Sequence, residues 1–173
     1  IEDNYFTYCF EDTELGDYDM NDVVIKARRI NETTVEYKLV ACGAYDELYI
    51  KGINGTAINE NTEVHKLFGV DGGYVNTVVG QNIPVVTQQI NVSKDFSFLD
   101  NDTQPYIIDA TTGNEVHLSK KGEDPHGILI PCNFAYPLER ICIKDAYSKF
   151  NNWGDNSVTS TDWYKYPVIG KTF

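Results

Sequence analysis

The sequence predicts an all-β fold: a single antiparallel β-sandwich, jelly-roll-like, with one short helix, spanning residues 1–173 as one domain. Three observations carry this. Apolar residues alternate with polar ones over short runs, which is the period of a half-buried strand. Twelve Tyr and many Thr favour strands, while abundant Asn and thirteen Gly serve turns. No alternation of strand and long helix runs along the chain, so a doubly wound parallel sheet is excluded. A chain of 173 residues can bury a sizeable core without metal or disulfide staples.

Residues 5–10 (YFTYCF) read as the first strand, and the acidic stretch EDTELGDYDMND at 11–22 reads as a turn. In VVIKARRI at 23–30, Val23, Ile25 and Ala27 share one face and Lys26 and Arg28 the other. Asn31-Glu32 turns the chain into 34–41, where Val35, Tyr37, Leu39 and Ala41 face inward. The two segments predict an antiparallel hairpin. ELYIKGI at 47–53 gives another strand, ended by the hairpin-type turn Asn54-Gly55. The one helix is predicted between Asn61 and Phe68, capped by Asn61 or Thr62, with Val64, Leu67 and Phe68 on a face and Gly69 closing it. Short strands are expected at 83–92, 96–99, 106–109 and around Val116 and Leu118, then at 128–131 and 139–147 after a polar loop at 120–127. The segment 150–166 reads as an ordered surface stretch pinned by its aromatics.

Fourteen Lys and Arg stand against 26 Asp and Glu, a net charge of -12. That sign opposes nucleic acid, whose phosphates are bound through basic contacts, and it equally opposes an anionic membrane surface. No apolar run reaches 18 residues, so direct membrane insertion by this segment is not expected. The chain starts at Ile1, so an upstream segment carrying a signal or anchor is expected to be missing. The acids concentrate in residues 1–22, where Glu2, Asp3, Glu11, Asp12, Glu14, Asp17, Asp19 and Asp22 occur without one Lys or Arg.

Six of these acids lie between Glu11 and Asp22. Like charges held in one turn destabilise a fold unless solvent, a base or a cation compensates. Asp17, Asp19 and Asn21 have the one-three-five spacing of a calcium loop, since this hard cation takes carboxylate, amide and carbonyl oxygens. An EF-hand is excluded, because Asp22 and Arg28 stand where it needs Gly and Glu. What remains is a β-hairpin calcium turn with Asp17, Asp19 and Asp22 as side-chain ligands and Asn21, Glu11 or Asp12 closing the shell. Magnesium fits less well, as it wants few protein ligands and a strict octahedron. The competing reading is a solvated acidic turn without an ion.

Other chemistry is thin. His65, His117 and His126 lack an HExxH setting, and His126 in DPHG reads as a loop-fixing residue. A carboxylate hydrolase near His126 is the least favoured function, and the chain is read as non-catalytic. Trp153, Trp163, Tyr164 and Tyr166 could form a sugar-stacking platform, against the simpler reading that the tryptophans pin the tail to the core. Cys9, Cys42, Cys132 and Cys142 form no CxxC and read as small buried residues, with any disulfide pairing open. The four sequons at Asn31, Asn54, Asn91 and Asn101 occur at the rate expected from so much Asn and Thr.

Phe10-Glu11-Asp12 followed by Gly16-Asp17-Tyr18-Asp19-Met20-Asn21-Asp22-Val23-Val24 resembles the signature of the LruC domain family. A second block agrees: Pro125-His126-Gly127, Ile130-Pro131, Phe134, Tyr136-Pro137-Leu138-Glu139 and Ile143. A third comprises Ala146-Tyr147, Phe150, Trp153 and Asp162-Trp163-Tyr164. The resemblance implies a bacterial secreted, periplasmic or lipid-anchored surface protein, and a family largely without assigned biochemistry. It also implies a calcium turn at Asp17, Asp19, Asn21 and Asp22, with Glu11 and Asp12 nearby. Met20 stands where the family usually has Phe and should fill the same apolar position. The function expected is therefore a calcium-binding surface domain in adhesion or assembly, whose partner would be a surface protein or glycan.

Overall fold

The computed structural model describes residues 4–13, 15–100, 102 and 104–173. Glu2, Asp3 and Glu14 of the acidic front end, and Asn101 of the last sequon, lie outside the described residues. Among the described residues eight strands form two antiparallel sheets. The larger is built from β1 (Tyr5–Phe10), β2 (Val23–Asn31), β3 (Thr34–Ala41), β5 (Val86–Asn91) and β8 (Gly127–Ile130), in the order β5-β3-β2-β1-β8. The smaller holds β4 (Leu48–Lys51), β6 (Tyr106–Asp109) and β7 (Asn114–Val116), in the order β4-β6-β7. The predicted all-β sandwich is the observed architecture.

One core lies between the sheets. Val23, Ile25 and Ala27 of β2 and Val35, Tyr37 and Leu39 of β3 meet Leu48, Ile50, Ile107 and Val116 there. Ala41 does not join them. A register irregularity pairs Val24 with Ala41 but Ile25 with Leu39, so Ala41 turns to the opposite face. That face carries a second core, in which Cys9, Val24 and Ala41 pack under Phe134, Tyr136, Ile143, Tyr147 and Trp163. The large sheet is thus covered on both sides, by the small sheet and by a C-terminal layer.

The C-terminal layer is where sequence pattern and structure differ most. Residues 139–147, whose alternation predicts a strand, instead turn at Arg140 (φ 62°) and form helix α2 (Ile143–Ala146). Positive φ breaks an extended run. Ile143, Ala146 and Tyr147 then share the face that enters the second core. A further helix, α3 (Phe150–Asp155), and a 3-10 turn at Trp163–Lys165 occupy the aromatic tail. With α1 (Val64–Leu67) there are three short α-helices among the described residues, not one. The cap of α1 is Glu63, whose carboxylate accepts from Lys66 N, in place of Asn61 or Thr62. Residues 96–99 form turns without strand pairing, yet Phe98 still reaches the core. β4 pairs with β6, so Asn54-Gly55 closes no hairpin.

The two tryptophans do not form a coplanar exposed pair. Trp163 is 3% exposed and stands edge-on to Phe134, Tyr147 and Phe150, with Trp153 tilted 36° to it. Trp163 belongs to the second core and the half-buried Trp153 packs against it, so the two rings present no coplanar face.

Candidate metal centre

The β1–β2 ladder closes at Phe10–Val23, so residues 11–22 arch off one end of the large sheet. Both ends of the arch are fixed by backbone bonds. Glu11 N donates to His126 O (2.7 Å), and Gly43 N donates to Asn21 O (2.9 Å). Tyr18 (φ 54°) and Met20 (φ 57°) both take left-handed backbone, a conformation that costs energy in residues with a side chain. Met20 is fully buried in the second core, which holds the arch against the sheet. Around it the acidic side chains are drawn inward.

Five of the six predicted ligands are buried: Glu11 (2% exposed), Asp12, Asp19, Asn21 and Asp22; only Asp17 is exposed. Carboxylate oxygens of Glu11, Asp17 and Asp19 lie within 4.8 Å of one another, as do those of Glu11, Asp12 and Asp22. Glu11 therefore joins two clusters. Backbone amides orient the set: Met20 N donates to Glu11 Oε2 (3.2 Å), Asp12 N to Asp22 Oδ2 (2.7 Å), and Asn21 N and Arg140 N to the two oxygens of Asp19 (3.2 and 2.7 Å). A Cβ at Gly16 would stand 1.9 Å from Glu11 Oε1, so a larger residue there must displace that carboxylate.

Among the described residues no salt bridge reaches any of these acids. Burial, then repulsion from Asp19, pushes the Glu11 carboxyl up to about 8. Burial, with Asp17 and Glu139 adding repulsion, carries Asp19 to about 7. Asp12 and Asp22 are raised as well, each by burial first. Without an ion the fold therefore favours protons on several of these carboxyls. A divalent cation would supply the same compensation through hard oxygen ligands.

The structure adds three acids that spacing does not reveal. Asp46 and Asp109 gather with Asp12 inside 4.8 Å. Asp109, however, accepts from Thr111 N, Thr112 N and Thr112 Oγ1, so its own turn satisfies it. Glu139 comes from the C-terminal layer, and repulsion from Asp17 and Asp12, after burial, raises its carboxyl. It sits in the Tyr136–Glu139 block, which tertiary contacts bring to the arch but no sequence spacing links to it. A groove of about 1090 Å³ beside β7 and β8 is lined in part by Glu11, Asp12, His126 and Trp153. What His126 gives the acidic arch is its carbonyl. His65 is buried, with Nδ1 2.6 Å from Glu63 and Nε2 3.0 Å from Ala44 O, and serves the fold.

This fold has a solved counterpart. The chain is similar to a crystal structure of a "putative lipoprotein" from Bacteroides ovatus, with a TM-score of 0.68 and 14% identity over 98% of this chain and 75% of that one. Residues 119–164 match the model of a domain of unknown function, DUF4842. That match takes in the second and third sequence blocks, from Pro125 to Tyr164, but not the acidic arch. No curated protein matches the chain. Among the described residues no helix is long and apolar enough to cross a membrane.

Proposed function

We propose that this domain is a non-catalytic calcium-binding β-sandwich of a bacterial surface or exported protein of the LruC type, acting in adhesion or assembly. The observation that carries it is the convergence of Glu11, Asp17 and Asp19 within 4.8 Å, with no base paired to them among the described residues. Asn21, Asp22 and Asp12 extend the oxygen supply around the same arch. So many protein oxygens suit the six to eight ligands of calcium better than the hydrated octahedron of magnesium. The likeness to a "putative lipoprotein" supports the surface setting by fold alone. Bound calcium would neutralise the arch and stabilise the native state by linkage.

Thermal unfolding tests this. Calcium at a hundred times its dissociation constant adds about 2.7 kcal/mol, which for a domain of this size is roughly 5–10 °C in Tm. Asp19→Ala should abolish the rise. A melting curve unmoved by millimolar calcium would leave a buried turn compensated by protons on its carboxyls in place of the metal site.

A further inference from the structure

The side-chain oxygen of Asn21 is fully buried and, among the described residues, is the one buried side-chain polar atom without a hydrogen-bond partner. Its orientation is fixed, because Nδ2 of the same amide donates to Pro137 O at 3.0 Å. Turning the amide over would set oxygen against oxygen there. An unpartnered buried acceptor costs about 1–3 kcal/mol, so a donor or a cation is called for. Its neighbour is another acceptor. A Cβ built on Gly43 would stand 1.9 Å from Asn21 Oδ1 and 2.9 Å from Glu139 Oε2, so the two oxygens crowd one space above the glycine.

Glu139 is delivered to that space by backbone. Its N donates to Thr77 O (2.9 Å), and its Oε2 accepts from Thr77 Oγ1 (2.8 Å). The next residue, Arg140, donates its N to Asp19 Oδ2, while Asn21 N donates to Asp19 Oδ1. The Asp19 carboxylate is therefore held by the residue following Glu139 on one side and by Asn21 on the other. A few residues on, Ile143 N donates to Tyr18 O at 2.8 Å.

We infer that Glu139 and the Asn21 side-chain oxygen are calcium ligands, so that the ion fastens the C-terminal layer to the β1–β2 arch. This rests on the calcium reading above and names a ligand from outside the acidic stretch. The ion then becomes a staple between two parts of the chain, beyond neutralising one turn. The simpler alternative is a protonated Glu139 donating to Asn21 Oδ1, which needs no metal.

Isothermal titration of the whole chain with calcium chloride separates these, comparing the native protein with Glu139→Gln and Asn21→Asp. The amide of Glu139→Gln can still donate to Asn21 Oδ1, so its calcium-free Tm should stay at or above the native value. Calcium affinity should fall about tenfold or more, and calcium-dependent protection of the Tyr147 amide from hydrogen exchange should disappear. Asn21→Asp should bind calcium more tightly while melting lower without it. Native-like affinity and protection in Glu139→Gln would overturn the assignment and leave the calcium site standing. Absence of calcium binding to the native protein would overturn both.

Discussion

At the scale of single residues, the site depends on what is absent as much as on what is present. Gly43 leaves room for Asn21 Oδ1, which would lie 1.9 Å from any Cβ there. Gly43→Ala must displace a buried amide already tied to Pro137, and should cost about 1–3 kcal/mol, the range for overpacking. Chemical denaturation would measure it, and an unchanged midpoint would contradict the packing described. The acidic pattern of the arch is legible in the sequence because alternate oxygen-bearing residues are a local pattern. Asp19 and Asn21 satisfy it from positions two apart. The approach of Glu139 to the arch is not legible, since it lies 118 residues beyond Asn21 and only the backbone path through Thr77 and Asp19 brings it in. Asp46 and Asp109 escaped for the same reason, being joined to Asp12 by tertiary structure alone.

At the scale of elements, strand pairing followed directly from period two, and β2 and β3 pair as their alternation predicts. The bulge that turns Ala41 away depends on the pairing partner and has no signature in LVA itself. The segment that forms helix α2 carries a strand-like alternation in Ile141 and Ile143. Its helical spacing, Ile143 to Ala146 and Tyr147, was present in the same letters, and Arg140 at positive φ decided between them. Thr7 on β1 shows how the C-terminal layer is attached. It is fully buried, and its hydroxyl donates to Cys132 O (2.8 Å) and accepts from Phe134 N (3.1 Å). Thr7→Val keeps the shape and strands both groups, at an expected cost of about 1–3 kcal/mol each way the bonds are lost. Faster amide exchange at Phe134, with β2–β3 amides unchanged, would report this locally.

At the scale of the molecule, the acidic excess acquires a direction. A carboxyl raised above its unfolded value keeps a proton in the fold that the unfolded chain has released. Between those two values, rising pH therefore removes stability. Glu11 at about 8 and Asp19 at about 7 set the window, which opens near the ordinary carboxylate value of about 4. In a chelator, Tm should fall from pH 5 to pH 8. Calcium, which needs the ionised forms, should flatten that slope. A chelated protein that gains stability across this range would show that the carboxyls are not held as described.

The antiparallel pairing of β1 with β8 reaches beyond the site. Thr7 is opposite Ile130 and Phe10 opposite Gly127, so the first strand of the sequence acquires its outer neighbour only from the segment 119–164 that carries the family match. During synthesis β1 must wait for more than a hundred residues with one edge uncovered, and an uncovered edge is a template for aggregation. The C-terminal segment that matches the domain model is, by the same geometry, no separable module: removed from β1 it would lose its strand's partner and the floor of its core. Any longer protein built around this fold has to deliver the two ends of the domain to each other before either is safe from association with another chain.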